Sequence, residues 1–180
     1  MAMLEGVRLK GGLFYSRLHF RHNHDRIMNF TDALRRSRRA LVIFPESSVD
    51  GESASTFLQY LIRKFSSERL MVIIRDDQLF TMASAPPLKT LTYSERDINK
   101  WFVPRRELLQ RMESNNFDVA VDLNLNFSLT SAFLCKASNA PLRIGFVKKN
   151  SDQFYNFQFK TKGNNNKYSY RSLLKCLDMF

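Results

Sequence analysis

Cysteine and histidine are scarce in this chain, and the glycine-rich motifs of nucleotide enzymes are missing; each absence removes a class of function. Two cysteines, Cys135 and Cys176, among 180 residues make no disulfide framework and stand at no metal-ligand spacing, which favours a reducing compartment. The three histidines, His19, His22 and His24, cluster in "RLHFRHNHD". No second pair of ligands accompanies them, and on a helix His22 and His24 would point apart, so no metal site is expected. Neither G-x-G-x-x-G nor G-x-x-x-x-G-K-[ST] occurs, which removes the dinucleotide and P-loop readings, and no G-x-S-x-G elbow supports serine catalysis. No cofactor is expected. No apolar run approaches the roughly 18 to 20 residues of a spanning helix, and the N-terminus has no signal-peptide core. The expectation is a soluble, cytoplasmic chain.

What is present suits one domain with a substantial core: 180 residues, 44% of them hydrophobic, with 16 phenylalanines. The formal net charge of +11 is unevenly placed. Residues 1–40 hold nine Arg or Lys against three acids, residues 41–147 twelve against twelve, and residues 148–180 seven against two. Charge confined to the ends reads as an added electrostatic surface, whose exposed members would be Arg35, Arg36, Arg38 and Arg39. An anionic glycolipid or the inner-membrane surface would be its partner, while solvated ends with no partner remain an equal reading. Nucleic acid is disfavoured, because no recognised binding motif or aromatic-basic interleaving accompanies the charge.

Along the chain, strand-like and helix-like patterns alternate. "RALVIFP" (Arg39 to Pro45), "RLMVIIRD" (Arg69 to Asp76), "FDVAVDL" from Phe117 and "LRIGFV" (Leu142 to Val147) read as strands, with a further short one in "PLKTLTYSERD". Helices are expected over Asp25–Ala40, Ala54–Phe65 and Pro104–Asn115, after Ser128, and through Leu173, Leu174 and Leu177 beyond an Asn-rich turn at Asn164–Asn166. The alternation predicts an α/β fold with a single doubly wound, mainly parallel, Rossmann-like sheet. Residues 1–38 would form a basic, helical N-terminal extension and residues 39–180 the domain.

Two places carry candidate chemistry. "PESSVDGES" puts Ser47, Ser48, Asp50 and Gly51 at the mouth of the sheet before a helix N-terminus, although Ser53 as a helix cap and Asp50-Gly51 as a turn explain the same residues. Asp122 and Asn124 follow the "VAV" strand at its carboxyl end, where open α/β sheets bind ligands; they also suit a turn. Trp101 with Phe102 reads as a packing anchor.

The order of "SSVDGES", "LIRKFSSERLMVII", "FDVAVDLNLNFSLTSAFLCKASNAPLRIGF" and "FYNFQF", over about Leu41 to Phe159, resembles the N-terminal half of the family 9 glycosyltransferases, the heptosyltransferases of lipopolysaccharide core synthesis. Those enzymes have a Ser-Ser-x-Gly-Asp loop, an Asp-x-x-Ile-Asp-Leu-Gln strand, a Ser-Ala helix and an Arg-Ile-Gly-Phe strand. The resemblance implies one half of a GT-B fold, with Ser47, Ser48, Asp122 and Asn124 facing the acceptor and Asp50 near the position of the catalytic base. The family's loop runs Gly then Asp, whereas this chain runs Asp50 then Gly51. The family also holds its nucleotide-sugar mainly in a C-terminal domain with no expected counterpart here. The resemblance therefore implies a stand-alone, non-catalytic, heptosyltransferase-like domain in cell-envelope glycan work. A half-enzyme completed by a full-length transferase or a homodimer is the alternative, and a basic nucleic-acid-binding α/β protein is the third reading.

Overall fold

The computed structural model describes residues 2–25, 27–82, 87–113, 115–161 and 166–179. Its centre is one sheet of six parallel strands: β1 (Ala40–Ile43), β2 (Leu70–Arg75), β3 (Lys89–Tyr93), β4 (Val119–Asp122), β5 (Leu142–Phe146) and β6 (Phe157–Phe159), in the order β3-β2-β1-β4-β5-β6. The middle strands are apolar runs because both of their faces are covered, as parallel sheets require. Alternate residues go to opposite layers. Val42, Val72 and Val121 face one core with Phe57, Leu61 and Leu173, while Leu41, Ile73 and Ala120 face a second with Leu108, Phe133 and Phe154.

The helices are α1 (Ala2–His19), α2 (Phe30–Arg36), α3 (Ser48–Phe65), α4 (Arg106–Glu113), α5 (Leu129–Ala137) and α6 (Asn166–Asp178). α2, α3 and α6 cover the first core; α1, α4 and α5 cover the second. The N-terminal stretch packs onto this body: Leu34 of α2 is 2% exposed, and Leu9 and Leu13 of α1 are partly buried against the second core. Small residues let α1 approach closely. A Cβ at Gly12 would lie 2.1 Å from the Trp101 carbonyl oxygen and one at Gly11 2.5 Å from the Trp101 ring. Trp101 thus lies against α1 with its ring still exposed, and of the expected pair it is Phe102 that packs against the second core.

The doubly wound parallel sheet agrees with the sequence reading, but several boundaries differ. The helix expected over Asp25–Ala40 is confined to Phe30–Arg36: Asn29 caps it by accepting the Asp32 N–H, and Ser37 turns extended. Beyond that turn the N–H groups of Arg38 and Arg39 donate to Asp118 Oδ2 at 2.7 and 2.9 Å, steering the chain into β1. The helix expected from Ala54 starts six residues earlier, at Ser48. Ser53 therefore caps nothing, and Asp50-Gly51 is helical rather than a turn. β6 went unrecognised in the sequence, and α1 was expected only as part of a helical extension over residues 1–38, without bounds of its own, because it is apolar on two faces and so shows little one-sided periodicity. Asn164 and Asn165 of the expected Asn-rich turn lie outside the described residues.

Candidate functional site at the carboxyl edge of the sheet

In a sheet of order 3-2-1-4-5-6 the winding reverses between β1 and β4, and the crevice at their carboxyl ends is the usual ligand position. Here the chain fills that crevice with its own side chains. Asn124 Oδ1 accepts the Glu46 N–H at 2.9 Å, and its Nδ2 donates to Asp122 Oδ1 at 2.8 Å and to the Phe44 carbonyl at 3.4 Å. One amide thus staples the end of β1 to the end of β4. Asp122, fully buried, accepts the Asn124 N–H on Oδ1 at 2.9 Å. On Oδ2 it accepts Ser131 Oγ at 3.0 Å and the Tyr155 hydroxyl. Lys148 Nζ stands 3.9 Å from the same oxygen and donates to the Asn124 carbonyl at 2.6 Å.

The surroundings fix the roles of these groups. Burial, reinforced by the Asp122 charge, pushes the Tyr155 hydroxyl well above its ordinary range, so it remains a neutral donor. Burial pulls the Lys148 ammonium below its ordinary value against the opposing attraction of Asp122. Asp122 is an anchor whose acceptor positions are taken.

Beside the filled crevice lies an open one. Glu46 follows β1, and its Oε1 accepts the Tyr93 hydroxyl at 3.0 Å and Ser128 Oγ at 2.7 Å. It borders a cavity of 420 Å³ whose wall includes Arg8, Arg75, Glu95, Lys100 and Phe102. The Arg8 guanidinium lies 4.5 Å from the centre of the Phe102 ring, and Arg75 forks onto Asp77. Three cations and two carboxylates around a space of this size suit a polar, hydroxyl-bearing or phosphorylated small molecule.

The expected site residues divide into three groups. Asp122 and Asn124 come together in the staple. Ser47, at the N-cap position of α3, is half-buried with no capping bond from its side chain; Ser48 is exposed, and Asp50, in the first turn, is 3% exposed. None of these three lines the cavity. The charges of Asp50 and Asp122 both act on Tyr170, whose hydroxyl is raised first by burial and donates to the Leu123 carbonyl at 2.6 Å. Arg35, Arg36, Arg38 and Arg39 are exposed around the opposite, amino edge, where Arg39 borders a 350 Å³ cavity with Arg69 and Lys89. Among the described residues no three His, Cys, Asp or Glu side chains are grouped to hold a metal.

Sequence reasoning missed Glu46, Tyr155, Lys148 and Ser131. Position alone could have found two of them: Glu46 and Lys148 directly follow the carboxyl ends of β1 and β5, the edge already singled out for Asp122. Tyr155 carried no such signal.

A family model described as "Family of unknown function (DUF6913)" matches residues 23–180. The chain belongs to this family. No curated protein matches it. Among solved structures, a glycosyl transferase family 9 protein from Veillonella parvula superposes with a TM-score of 0.61 at 15% identity, covering 79% of this chain and 42% of its own. The E. coli heptosyltransferase WaaC, solved with ADP-2-deoxy-2-fluoro heptose, gives 0.57 at 15% identity, covering 79% of this chain and 49% of its own. The same enzyme with ADP gives 0.55 at 14%. The chain thus has a Rossmann-like domain with the fold found in these glycosyltransferases, and it spans less than half of their length.

Proposed function

We propose that this DUF6913 chain is a glycosyltransferase-like, acceptor-facing domain of cell-envelope glycan chemistry that does not transfer sugar by itself. The observation that carries the reading is the contrast at the carboxyl edge: an open polar cavity at Glu46 and Arg75 beside two aspartates withdrawn from it. Glycosyl transfer needs a base within about 3 Å of the attacking hydroxyl. Asp50 is buried away from the cavity lining and Asp122 is wholly buried with its oxygens occupied, so neither aspartate is placed as that base. Of the carboxylates that do border the cavity, Glu46 and Glu95, Glu46 is held by Tyr93 and Ser128 and is read as a ligand contact. The cavity keeps what binding a glycan requires, namely guanidinium, ammonium and carboxylate groups that pair with hydroxyls and phosphates.

The test is calorimetric titration of the purified protein with lipopolysaccharide-core oligosaccharide, together with a transfer assay using nucleotide-heptose. Saturable binding that Arg75→Ala weakens about tenfold, the effect of one lost charge-assisted contact, without turnover, is the expected result. Absence of binding would remove the acceptor reading. Turnover by the isolated chain would remove the non-catalytic one, and its loss in Asp50→Asn would identify Asp50 as the base.

A further inference from the structure

α1 is apolar on two sides, and only one of them is used within the fold. Leu9 and Leu13, with Phe20 just past the helix end, face the second core. On the opposite side Leu4, Val7, Phe14 and Leu18 are 67, 56, 64 and 51% exposed. Helical geometry sets these four on one stripe, since successive members recur near whole numbers of turns. Tyr15 and Trp101, 48 and 36% exposed, stand at its margin, Trp101 packed over Gly11. The flanks are cationic: α1 carries Arg8, Lys10 and Arg17 against the single acid Glu5, and Lys100 lies 5.3 Å from the Trp101 ring centre.

We infer that this outer face of α1 is a membrane-surface helix, lying in the headgroup region of an anionic phospholipid bilayer with its apolar stripe toward the acyl chains. The flanking charge selects this occupant. A second copy of the chain would set the same cationic flanks against each other, whereas lipid phosphates neutralise them while the acyl boundary takes the stripe. Tyr and Trp at the edge of the stripe match the preference of their amphipathic rings for the membrane interface. Among the described residues no helix is long and apolar enough to cross a membrane, so the contact is one of lying on the surface. α1 precedes residues 23–180, which the family model matches. The inference therefore stands without the glycan reading, although Arg8 ties the helix to the cavity wall and would place the cavity close to the bilayer.

The experiment mixes the full chain with vesicles of phosphatidylcholine alone or of equimolar phosphatidylcholine and phosphatidylglycerol. Co-sedimentation and the emission of Trp101, the single tryptophan, are followed. Expected are binding to the anionic vesicles with a blue shift, at least about tenfold weaker binding to the neutral ones, and about hundredfold weaker anionic binding for Val7→Ser/Phe14→Ser/Leu18→Ser. These side chains are exposed, so circular dichroism and melting should match the wild type; if they do not, Lys10→Gln/Arg17→Gln supplies the comparison and should weaken anionic binding alone. Equal binding by both proteins overturns the inference. So does light scattering that shows a dimer dissolved by the serine substitutions, which would identify a second copy as the occupant. Loss of oligosaccharide binding in the cavity would leave these results unchanged.

Discussion

Replacing Asp122 by alanine tests whether the carboxyl-edge network is a structural anchor. The carboxylate accepts from the Asn124 N–H, Asn124 Nδ2, Ser131 Oγ and the Tyr155 hydroxyl, and stands 3.9 Å from Lys148 Nζ, all in a fully buried position. Each donor left unsatisfied in the interior costs about 1–3 kcal/mol, and breaking a buried ion pair by removing one partner costs about 3–5 kcal/mol in all. Relaxation limits the sum, because Lys148 keeps the Asn124 carbonyl and Asn124 keeps Glu46. A loss of about 4 kcal/mol follows, a large part of the roughly 5–15 kcal/mol that holds a domain together. The assay is urea unfolding followed by circular dichroism, with an expected fall in midpoint of about 2 M at unchanged slope. Adding Lys148→Met to Asp122→Ala should recover about 1–2 kcal/mol, since it removes the stranded cation. A loss under about 1 kcal/mol for Asp122→Ala would refute the anchor and return Asp122 to the candidates for chemistry.

Burial lifts Tyr93, Tyr155 and Tyr170 above the ordinary tyrosine value. Their contribution is complete below about pH 10 and is lost as pH rises beyond it, because the unfolded chain ionises first. Urea midpoints should therefore fall steeply above about pH 10, and less steeply in Tyr155→Phe; identical slopes would contradict this. Gly12→Ala sets a methyl 2.1 Å from the Trp101 carbonyl and 2.5 Å from Leu129 Cδ2, so it should cost about 1–3 kcal/mol and loosen α1; unaltered melting and Trp101 emission would show that α1 is not docked as described. Arg35 and Arg36 lie on α2 over the first core and Arg38 and Arg39 at the amino edge, whereas α1 lies over the second core, so changing all four to Gln should lower binding to anionic vesicles only modestly, by about twofold, since exposed charges act over roughly 8 Å at physiological salt. Co-sedimentation indifferent to the change would count against a role for these arginines.

The sheet was legible because its strands are short β-branched runs whose pattern allows one solution, full burial in a parallel sheet. Val42, Val72 and Val121 are readable as core without knowing their partners. Helix ends were less legible, since they depend on contacts distant in sequence. Arg38 and Arg39 leave the helix to meet Asp118, about eighty residues away, and Ser48 begins one because the chain turns over the sheet edge directly after Glu46. In the site, Asp122 and Asn124 were found by the carboxyl-edge rule, but their function as a staple was invisible: it depends on Tyr155, Ser131 and Lys148 arriving from three later elements. The aspartate of "SSVDG" attracted attention through its neighbours in sequence, whereas burial in the first turn of α3 takes it from the cavity.

The filled crevice and the open cavity are mechanically one arrangement, and Glu46 is their hinge point. Its backbone N–H is held by Asn124, its side chain by Tyr93 and Ser128, and its position borders the cavity. Each of these partners belongs to a different element: Asn124 follows β4, Tyr93 ends β3 and Ser128 caps α5. A ligand meeting Glu46 therefore meets a carboxylate already oriented by three rigid supports, and little ordering of the protein remains to be done on binding. This follows from building the switch point of the sheet as a closed polar staple, and it favours holding a polar ligand in a fixed orientation.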